Sequence, residues 1–331
     1  MIDLSTTYMG LQLKNPLVAG SSGLTDSLDN IIQLEKSGIA AVVLKSLFEE
    51  EIIKDLNARM SRMTGEGFLY PETLEYYEHH DTKKELSEEY LDLISDTKKN
   101  VSIPVIASIN CMTAKNWTYF PRQIEQAGAD GLELNIFILP TDLERSGTEN
   151  ENIYFDIIDE IKKQVKMPVS VKISYYFSNL ASMIQRLSVT GIQGIVLFNR
   201  FYSPDFDIEN MEITSSSVLS SPSDITISLR WIAIMSERVK CDLAASTGVH
   251  DGNGLIKQIL AGANAVQVAS TLYKNGFSRV ENMLSELKSW MSNQKYKKID
   301  DFRGYMSQSS VKNPAAYERV QFMKYFRGYQ H

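Results

Sequence analysis

The stretch "GLELNIFILPTD" (residues 131–142) has the composition of a strand buried on both faces, and the run is broken by Pro140. Short, nearly continuous apolar runs of this kind are typical of parallel strands that are covered on both sides. Asn135 is the one polar side chain between Glu133 and Thr141, and no His, Cys, Ser, Asp or Lys follows it before Asp142. The stretch therefore predicts a parallel strand that ends in an amide rather than in an acid, a base or a nucleophile.

Seven further runs of the same kind recur along the chain. They are "NPLVAGS" (15–21), "AAVVLKS" (40–46), "PVIASIN" (104–110), "PVSVKIS" (168–174), "GIVLFNR" (194–200), "CDLAAS" (241–246) and "AVQVAS" (265–270). Amphipathic stretches with helical spacing, such as "EEYLDLISDTKK" and "YFDIIDEIKKQV", lie between them. Eight strand–helix alternations without a break in composition predict an α/β fold, a (β/α)₈ TIM barrel, formed as a single domain over residues 1–331.

Several segments lie outside this alternation. The stretch "LSTTYMGLQLKNP" before the first strand predicts an N-terminal hairpin that plugs the bottom of the barrel. The connections after the second and sixth strands are long, at residues 47–81 and 201–222, and they follow strand ends where barrel active sites lie. We expect lids or substrate-binding loops there, with surface insertions of no function as the alternative. A C-terminal tail from about residue 306 is expected to pack on the outside of the barrel or on a second subunit.

Composition limits the class of protein. The net charge of −7 argues against a nucleic-acid partner, because phosphate backbones attract a positive field. No apolar stretch is long enough to span a membrane, and the start lacks the basic and apolar segments of a signal peptide. The two cysteines, Cys111 and Cys241, form no CxxC pair. These features predict a cytoplasmic protein with a small-molecule ligand and without an iron–sulfur cluster or a metal site.

Polar residues at the carboxyl ends of barrel strands face the reaction chamber. Those of the first six strands are Ser21, Ser22, Lys45, Ser46, Asn110, Asn135, Lys172, Asn199 and Arg200. A lysine inside "VSVKIS" is costly to bury unless a negative partner meets its charge. A bound anion or an electron-rich ring would be such a partner, and an ion pair with Glu133 is the alternative. Because Lys45 in "VVLKS" repeats the pattern, two buried cations in one chamber predict an anionic ligand.

The last two strands end in small residues, as the phosphate sites of such barrels do. The residues are Ala245, Ser246, Thr247, Gly248, Ala269 and Ser270. Small side chains let backbone amides approach a phosphate closely, although they also occur at tight turns for steric reasons alone.

These pieces together resemble one family. "TTYMGLQLKNPLVAGSSG", "VVLKS", "LELN", "VKIS", "STGV" with "LIKQILAGANAVQVAS", and "YKKIDDFRG" are similar, in register over about residues 2–305, to the dihydroorotate dehydrogenase family, class 1. The resemblance implies an oxidoreductase of pyrimidine metabolism that binds FMN over the mouth of the barrel and forms a homodimer.

The resemblance also implies roles for single residues. Gly20, Ser21, Lys45 and Ser46 would lie near the flavin ring, with Lys172 at its pyrimidine edge. Asn135 and Asn199 would hold the substrate. With the strand-end residues added, the predicted catalytic residues are Lys172, Asn135 and Asn199, and the predicted cofactor-binding residues are Gly20, Ser21, Lys45, Ser46, Asn110, Asn135, Lys172, Ser246, Thr247, Gly248, Ala269 and Ser270.

The chain departs from the family pattern after Asn135. The family places a Ser or Cys base and a further substrate asparagine there, and this chain has Ile138 and Pro140. A hydride leaves for a flavin only if a group accepts the accompanying proton. We therefore expect dihydroorotate to be at best a very poor substrate, with another small dihydro or unsaturated ring compound as the true one.

Two alternatives stay open from the sequence. Tyr175, Tyr176, Tyr202 or Cys111 could replace the base. The chain could also be a non-catalytic barrel that binds a flavin or a phosphorylated metabolite and acts as a partner subunit.

Overall fold

The computed structural model describes residues 2–53, 85–113, 119–200, 204–215 and 217–318. Its strands are β1 (Thr6–Tyr8), β2 (Leu11–Leu13), β3 (Leu17–Ala19), β4 (Ala41–Val43), β5 (Leu47–Phe48), β6 (Val105–Cys111), β7 (Gly131–Ile136), β8 (Val169–Ile173), β9 (Gly194–Leu197), β10 (Pro204–Asp207), β11 (Glu212–Ser215), β12 (Asp242–Ser246) and β13 (Ala265–Val268).

Eight of these strands form a closed parallel barrel. In sheet order they are β3, β4, β6, β7, β8, β9, β12 and β13. The barrel closes where β13 pairs with β3, with Val266 opposite Leu17, and where β4 pairs with β6, with Val42 opposite Val105. All eight predicted strand segments contain one of these strands, so the predicted (β/α)₈ barrel is confirmed.

Helices surround the barrel. They are α1 (Leu28–Lys36), α2 (Leu86–Asn100), α3 (Phe120–Gln126), α4 (Gly147–Gln164), α5 (Leu180–Ser188), α6 (Ile225–Met235), α7 (Gly252–Ala261), α8 (Ser270–Asn275) and α9 (Arg279–Gln294). Local sequence sets their ends. Helix α7, for example, starts where the Asp251 side chain accepts from the Gly254 amide, and it stops at Gly262, which has a φ of +119°. Left-handed glycine is a common helix stop.

The predicted N-terminal hairpin closes the bottom of the barrel. Strands β1 and β2 pair with each other, and Tyr8 and Met9 at the turn are fully buried. They pack with the inward side chains of the barrel floor, which include Val196 and Ala244. The site must therefore lie at the opposite, carboxyl end of the strands.

The two long connections differ in content. Strand β5 opens the connection after β4 and extends the sheet beside β6, and residues 54–84 lie outside the described residues. After β9, strands β10 and β11 form an antiparallel hairpin whose side chains include the exposed Phe206 and Ile213. Sequence patterning indicated only a loop there, because this hairpin pairs with itself and has no buried face.

The start of the C-terminal tail packs on the outside of the barrel. Backbone amides of Met306 and Gln308 donate to the carbonyls of Leu260 and Ala233, both at 2.8 Å, and thereby join the tail to α7 and α6. The described residues of this segment end at residue 318.

Candidate functional site

A cavity of about 330 Å³ opens at the carboxyl ends of the strands. Its walls are formed mainly by the ends of β3, β8, β9, β12 and β13. The predicted site residues among its lining are Gly20, Ser21, Lys172, Asn199, Ser246, Thr247, Gly248, Ala269 and Ser270. The volume lies in the range of ordinary small-molecule sites.

One end of this cavity is built from tight turns after β12 and β13. Thr247 and Gly248 both have positive φ, at 76° and 78°, and a Cβ on Gly248 would lie 2.1 Å from the Ile225 nitrogen. Within the described ranges, the backbone N–H groups of Gly248, Val249 and Ala269 donate to no other residue. Unpaired amides next to small residues form a suitable cradle for a phosphate group.

Lys172 contributes the cationic part of the cavity wall. Its residue is only 8% exposed, and Nζ donates to Gln267 Oε1 at 3.0 Å. The Glu133 carboxylate lies 3.8 Å from the same nitrogen, so the ion pair weighed from the sequence is present. Lys172 therefore faces the cavity with its charge already balanced, and its burial by itself does not require an anionic ligand.

Lys45 is not the second buried cation that the sequence predicted. Its side chain is 57% exposed, and its nearest charged partner is Asp26, at 3.8 Å. The physical reason is position: β4 ends at Val43, so Lys45 lies on the rim beyond the strand, where water solvates the ammonium. Arg200, rather than Lys45, joins Lys172 in lining the cavity.

Ser46 lies one step behind the cavity. Its amide donates to Ser21 Oγ at 2.9 Å, and its own hydroxyl lies 2.7 Å from Ser108 Oγ. Ser46 therefore orients Ser21, which lines the cavity itself. Asn110, also predicted for this site, is buried at the end of β6 opposite Asn135.

The two predicted substrate asparagines contact each other. Asn199 Nδ2 donates to Asn135 Oδ1 at 2.8 Å, across the ends of β9 and β7. Asn199 lines the cavity, and Asn135 is one hydrogen bond away from it. The structure thus brings Asn135, Lys172 and Asn199 to the same end of the barrel.

The position at which the resemblance places a base carries no acid–base group. Ile138 is partly buried and packs against the core, and Pro140 is exposed. Cys111 is fully buried, its Sγ lies 3.9 Å from the Ile109 carbonyl, and burial raises the pKa of this thiol well above its usual range. A protonated, enclosed thiol is a poor base, so Cys111 is not a replacement. Tyr202 lies outside the described residues.

A second cavity of about 200 Å³ adjoins the first and shares Asn199 and Arg200 with it. Tyr175 and Tyr176 line it, with ring centroids 4.8 Å apart, together with Phe198 at 5.7 Å from Tyr175. Burial, followed by the hydrogen bond with Tyr176, raises the pKa of Tyr175. The Tyr175 phenol is therefore protonated over a wider pH range than a free phenol.

The loop after β11 borders the first cavity and is held by polar contacts. Arg200 Nη1 donates to the Val218 carbonyl at 2.6 Å, and Lys274 Nζ donates to the Ser220 carbonyl at 2.7 Å. Ser220 Oγ lies 3.0 Å from His250 Nε2, and its amide donates to Ser270 Oγ. These contacts connect the loop to the small-residue turns.

The described ranges contain no group of three or more His, Cys, Asp or Glu residues placed to hold a metal ion. They also contain no helix that is both long and apolar enough to cross a bilayer.

Sequence reasoning missed Gln267, which lies between Lys172 and Glu133. The signal was present in the sequence, since glutamine is the one polar residue inside the apolar run "AVQV". An uncharged side chain within a strand is easily assigned to the ordinary core.

The chain is also similar to a family of known proteins. A family model described as dihydroorotate dehydrogenase matches residues 3–291. The chain is 26% identical over 313 residues to the dihydroorotate dehydrogenase B (NAD(+)) catalytic subunit of Thermoplasma acidophilum, covering 92% of this chain and 99% of the relative. The proteins of the same name from Thermoplasma volcanium and Methanocaldococcus jannaschii are 26% and 23% identical, over 92% and 87% of this chain and 98% and 93% of their own lengths.

Proposed function

Because this chain belongs to the dihydroorotate dehydrogenase family of oxidoreductases, we propose that it is an FMN-dependent enzyme acting on a CH–CH bond of a small ring substrate. The observation that carries this proposal is the cavity itself. It has unpaired amides on small-residue turns at one end and Lys172 beside Asn199 on its wall. This is the donor set that a phosphorylated, electron-accepting ring needs.

Different residues of the chain would hold different parts of FMN. When bound, FMN would accept or return the hydride. Gly248, Ala269 and Ser270 would hold its phosphate, and Gly20 and Ser21 would lie against its ring. Lys172 would place positive charge next to it. Ser46 would act through Ser21, and Lys45, Asn110, Asn135, Ser246 and Thr247 complete the proposed set.

Asn199 and Asn135 would hold the substrate, since an amide pair offers both donors and acceptors to a polar ring. Arg200 lines both cavities and would pair with an anionic group on that ring. Tyr175, which lines the same cavity as Asn199, would take the proton role that Ile138 cannot: its phenol would donate a proton to a carbon of the substrate when the ring is reduced, and its phenolate would accept that proton when the ring is oxidised.

Dihydroorotate itself fits this chain poorly. Loss of a positioned base costs about 10²–10⁴-fold in rate. Pro140 also stands where the family has a substrate-binding asparagine, so one amide contact to the substrate is lost. A lost hydrogen bond to a charged group is worth roughly 1.5–3 kcal/mol. Because these losses compound, we propose a different ring compound as the substrate. The enzyme would be one FMN-binding domain and, as in class 1 of the family, a homodimer.

The first experiment is the visible spectrum of the purified protein, as isolated and after reconstitution with FMN. We expect a bound-flavin spectrum that photoreduction bleaches and that reoxidises in air. A protein that takes up no FMN even from excess would contradict the proposal and favour the phosphorylated-metabolite alternative. Bound FMN that no member of a panel of dihydro and unsaturated ring compounds reduces or reoxidises would favour a non-catalytic flavin-binding subunit.

A further inference from the structure

A buried carboxylate lies next to the cationic wall of the cavity. Glu133 is fully buried on β7, and its Oε1 is 3.8 Å from Lys172 Nζ. Within the described ranges this oxygen accepts no hydrogen bond. A buried carboxylate is costly unless a positive charge faces it, and Lys172 supplies that charge.

Gln267 joins these two residues and can do so in only one orientation. Its Oε1 accepts from Lys172 Nζ at 3.0 Å, and its Nε2 donates to Glu133 Oε2 at 2.5 Å. An ammonium has no lone pair, and a carboxylate has no proton to donate. The amide of Gln267 therefore cannot turn over without losing both bonds, and Glu133 fixes Gln267 just as Gln267 fixes Lys172.

This arrangement separates the charges in a particular way. Lys172 directs a hydrogen bond of 3.0 Å to a neutral amide, while the carboxylate stays at 3.8 Å. A direct Lys–Glu hydrogen bond would neutralise the ammonium more fully and draw it toward Glu133. Gln267 thus keeps the ammonium near the cavity, and Glu133 limits how much positive charge the cavity experiences.

We propose that Glu133 and Gln267 are positioning residues that set the effective charge of Lys172 and, through it, the reduction potential of the bound cofactor. The inference rests on the proposed FMN site and extends it. Lys172 favours the reduced, anionic flavin over the oxidised one, since a nearby positive charge stabilises developing negative charge. The negative charge of Glu133 opposes this preference. The Gln267 amide maintains it by keeping the Lys172 ammonium near the cavity.

The two residues can be tested by substitutions with opposite expected signs. Glu133→Gln keeps the shape and removes the negative charge, so the preference for reduced over oxidised FMN should rise about tenfold, which is about +30 mV for a two-electron couple. Gln267→Met nearly keeps the volume, carries no charge and frees Lys172 to move toward Glu133. The potential should then fall.

The measurement is a spectroelectrochemical titration of the FMN-loaded full chain. Asp242→Asn is the matched control, because Asp242 is a carboxylate on β12 that accepts from the Met9 amide at the barrel floor, far from the cavity. It should leave the potential unchanged. A purely structural role for the two residues would affect stability without opposite shifts in potential.

The outcomes separate this inference from the proposed function. Potentials equal to wild type in Glu133→Gln and Gln267→Met, with FMN bound, would overturn the inference and leave the function intact. If Glu133→Gln fails to fold, an unchanged potential in Gln267→Met overturns it alone. A wild-type chain that never binds FMN would remove the function, and the inference with it.

Discussion

At the scale of single residues, the proposed difference in substrate rests on position 138. The side chain at this position is an isoleucine that packs against the core and cannot accept a proton. Its neighbours in the chain, Phe137 and Leu139, are apolar as well. The family fold is therefore retained with an apolar side chain at this position.

Restoring a base should restore part of that reaction. We expect Ile138→Cys to speed reduction of the bound FMN by dihydroorotate at least about tenfold, which is less than the 10²–10⁴-fold worth of a general base because Pro140 still stands in place of the substrate-binding asparagine. Ile138→Val is the control for altered packing and should not gain. The measurement is anaerobic stopped-flow bleaching of the flavin. Rapid bleaching in the wild-type chain would show that a different group serves as the base.

At the scale of elements, the barrel could be predicted because each strand is buried on both faces and leaves an unbroken apolar run. The N-terminal hairpin could also be predicted from its apolar residues, which form a separate short stretch before the first barrel strand. The hairpin of β10 and β11 was not, because exposed strands such as "PDFD" leave no burial pattern to detect.

The residues of the site also divide into those that could be placed from the sequence and those that could not. Residues on the barrel strands, such as Lys172, could be placed because polar side chains near the carboxyl ends of such strands face the chamber. Lys45 could not, because it lies two residues beyond the end of β4, where the direction of a side chain no longer follows the strand. Gln267 was missed because its role depends on Lys172 and Glu133, which belong to distant parts of the chain.

The packing of the hairpin on β9 gives a prediction for one element. A Cβ on Gly194 would lie 3.0 Å from the Tyr8 ring and 3.1 Å from Met9 Cγ. Gly194→Ala should therefore overpack the barrel floor and destabilise the fold by about 1–3 kcal/mol. Gly147→Ala is the matched control: nothing lies within 4 Å of its Cβ at the start of α4, and it should stabilise by about 0.4–1 kcal/mol. Urea unfolding of both variants measures the difference, and equal midpoints would contradict this packing.

At the scale of the whole molecule, acid should destabilise the fold in two steps. Burial, followed by the charge of Lys274, lowers the pKa of His250 below its ordinary 6.5. Below pH 6.5 the unfolded chain then binds a proton that the folded chain resists, so stability falls as the pH decreases through this range. The pKa of Asp301 is lowered by the amides of Lys297 and Lys298, and stability from this carboxylate is present above 3.8 and lost as the pH falls further.

These two steps can be separated with one variant. His250→Gln keeps a polar partner for Ser220 Oγ, which lies 3.0 Å from His250 Nε2, and removes the titrating ring. The loss of stability just below pH 6.5 should then disappear, while the loss below about pH 4, where carboxylates protonate, should remain. Free energies of unfolding from urea titrations between pH 8 and pH 3 provide the comparison. A wild-type curve that is flat from pH 6.5 to pH 4.5, or a variant curve identical to it, would show that His250 titrates without cost to the fold and that the loop at Ser220 tolerates its charge.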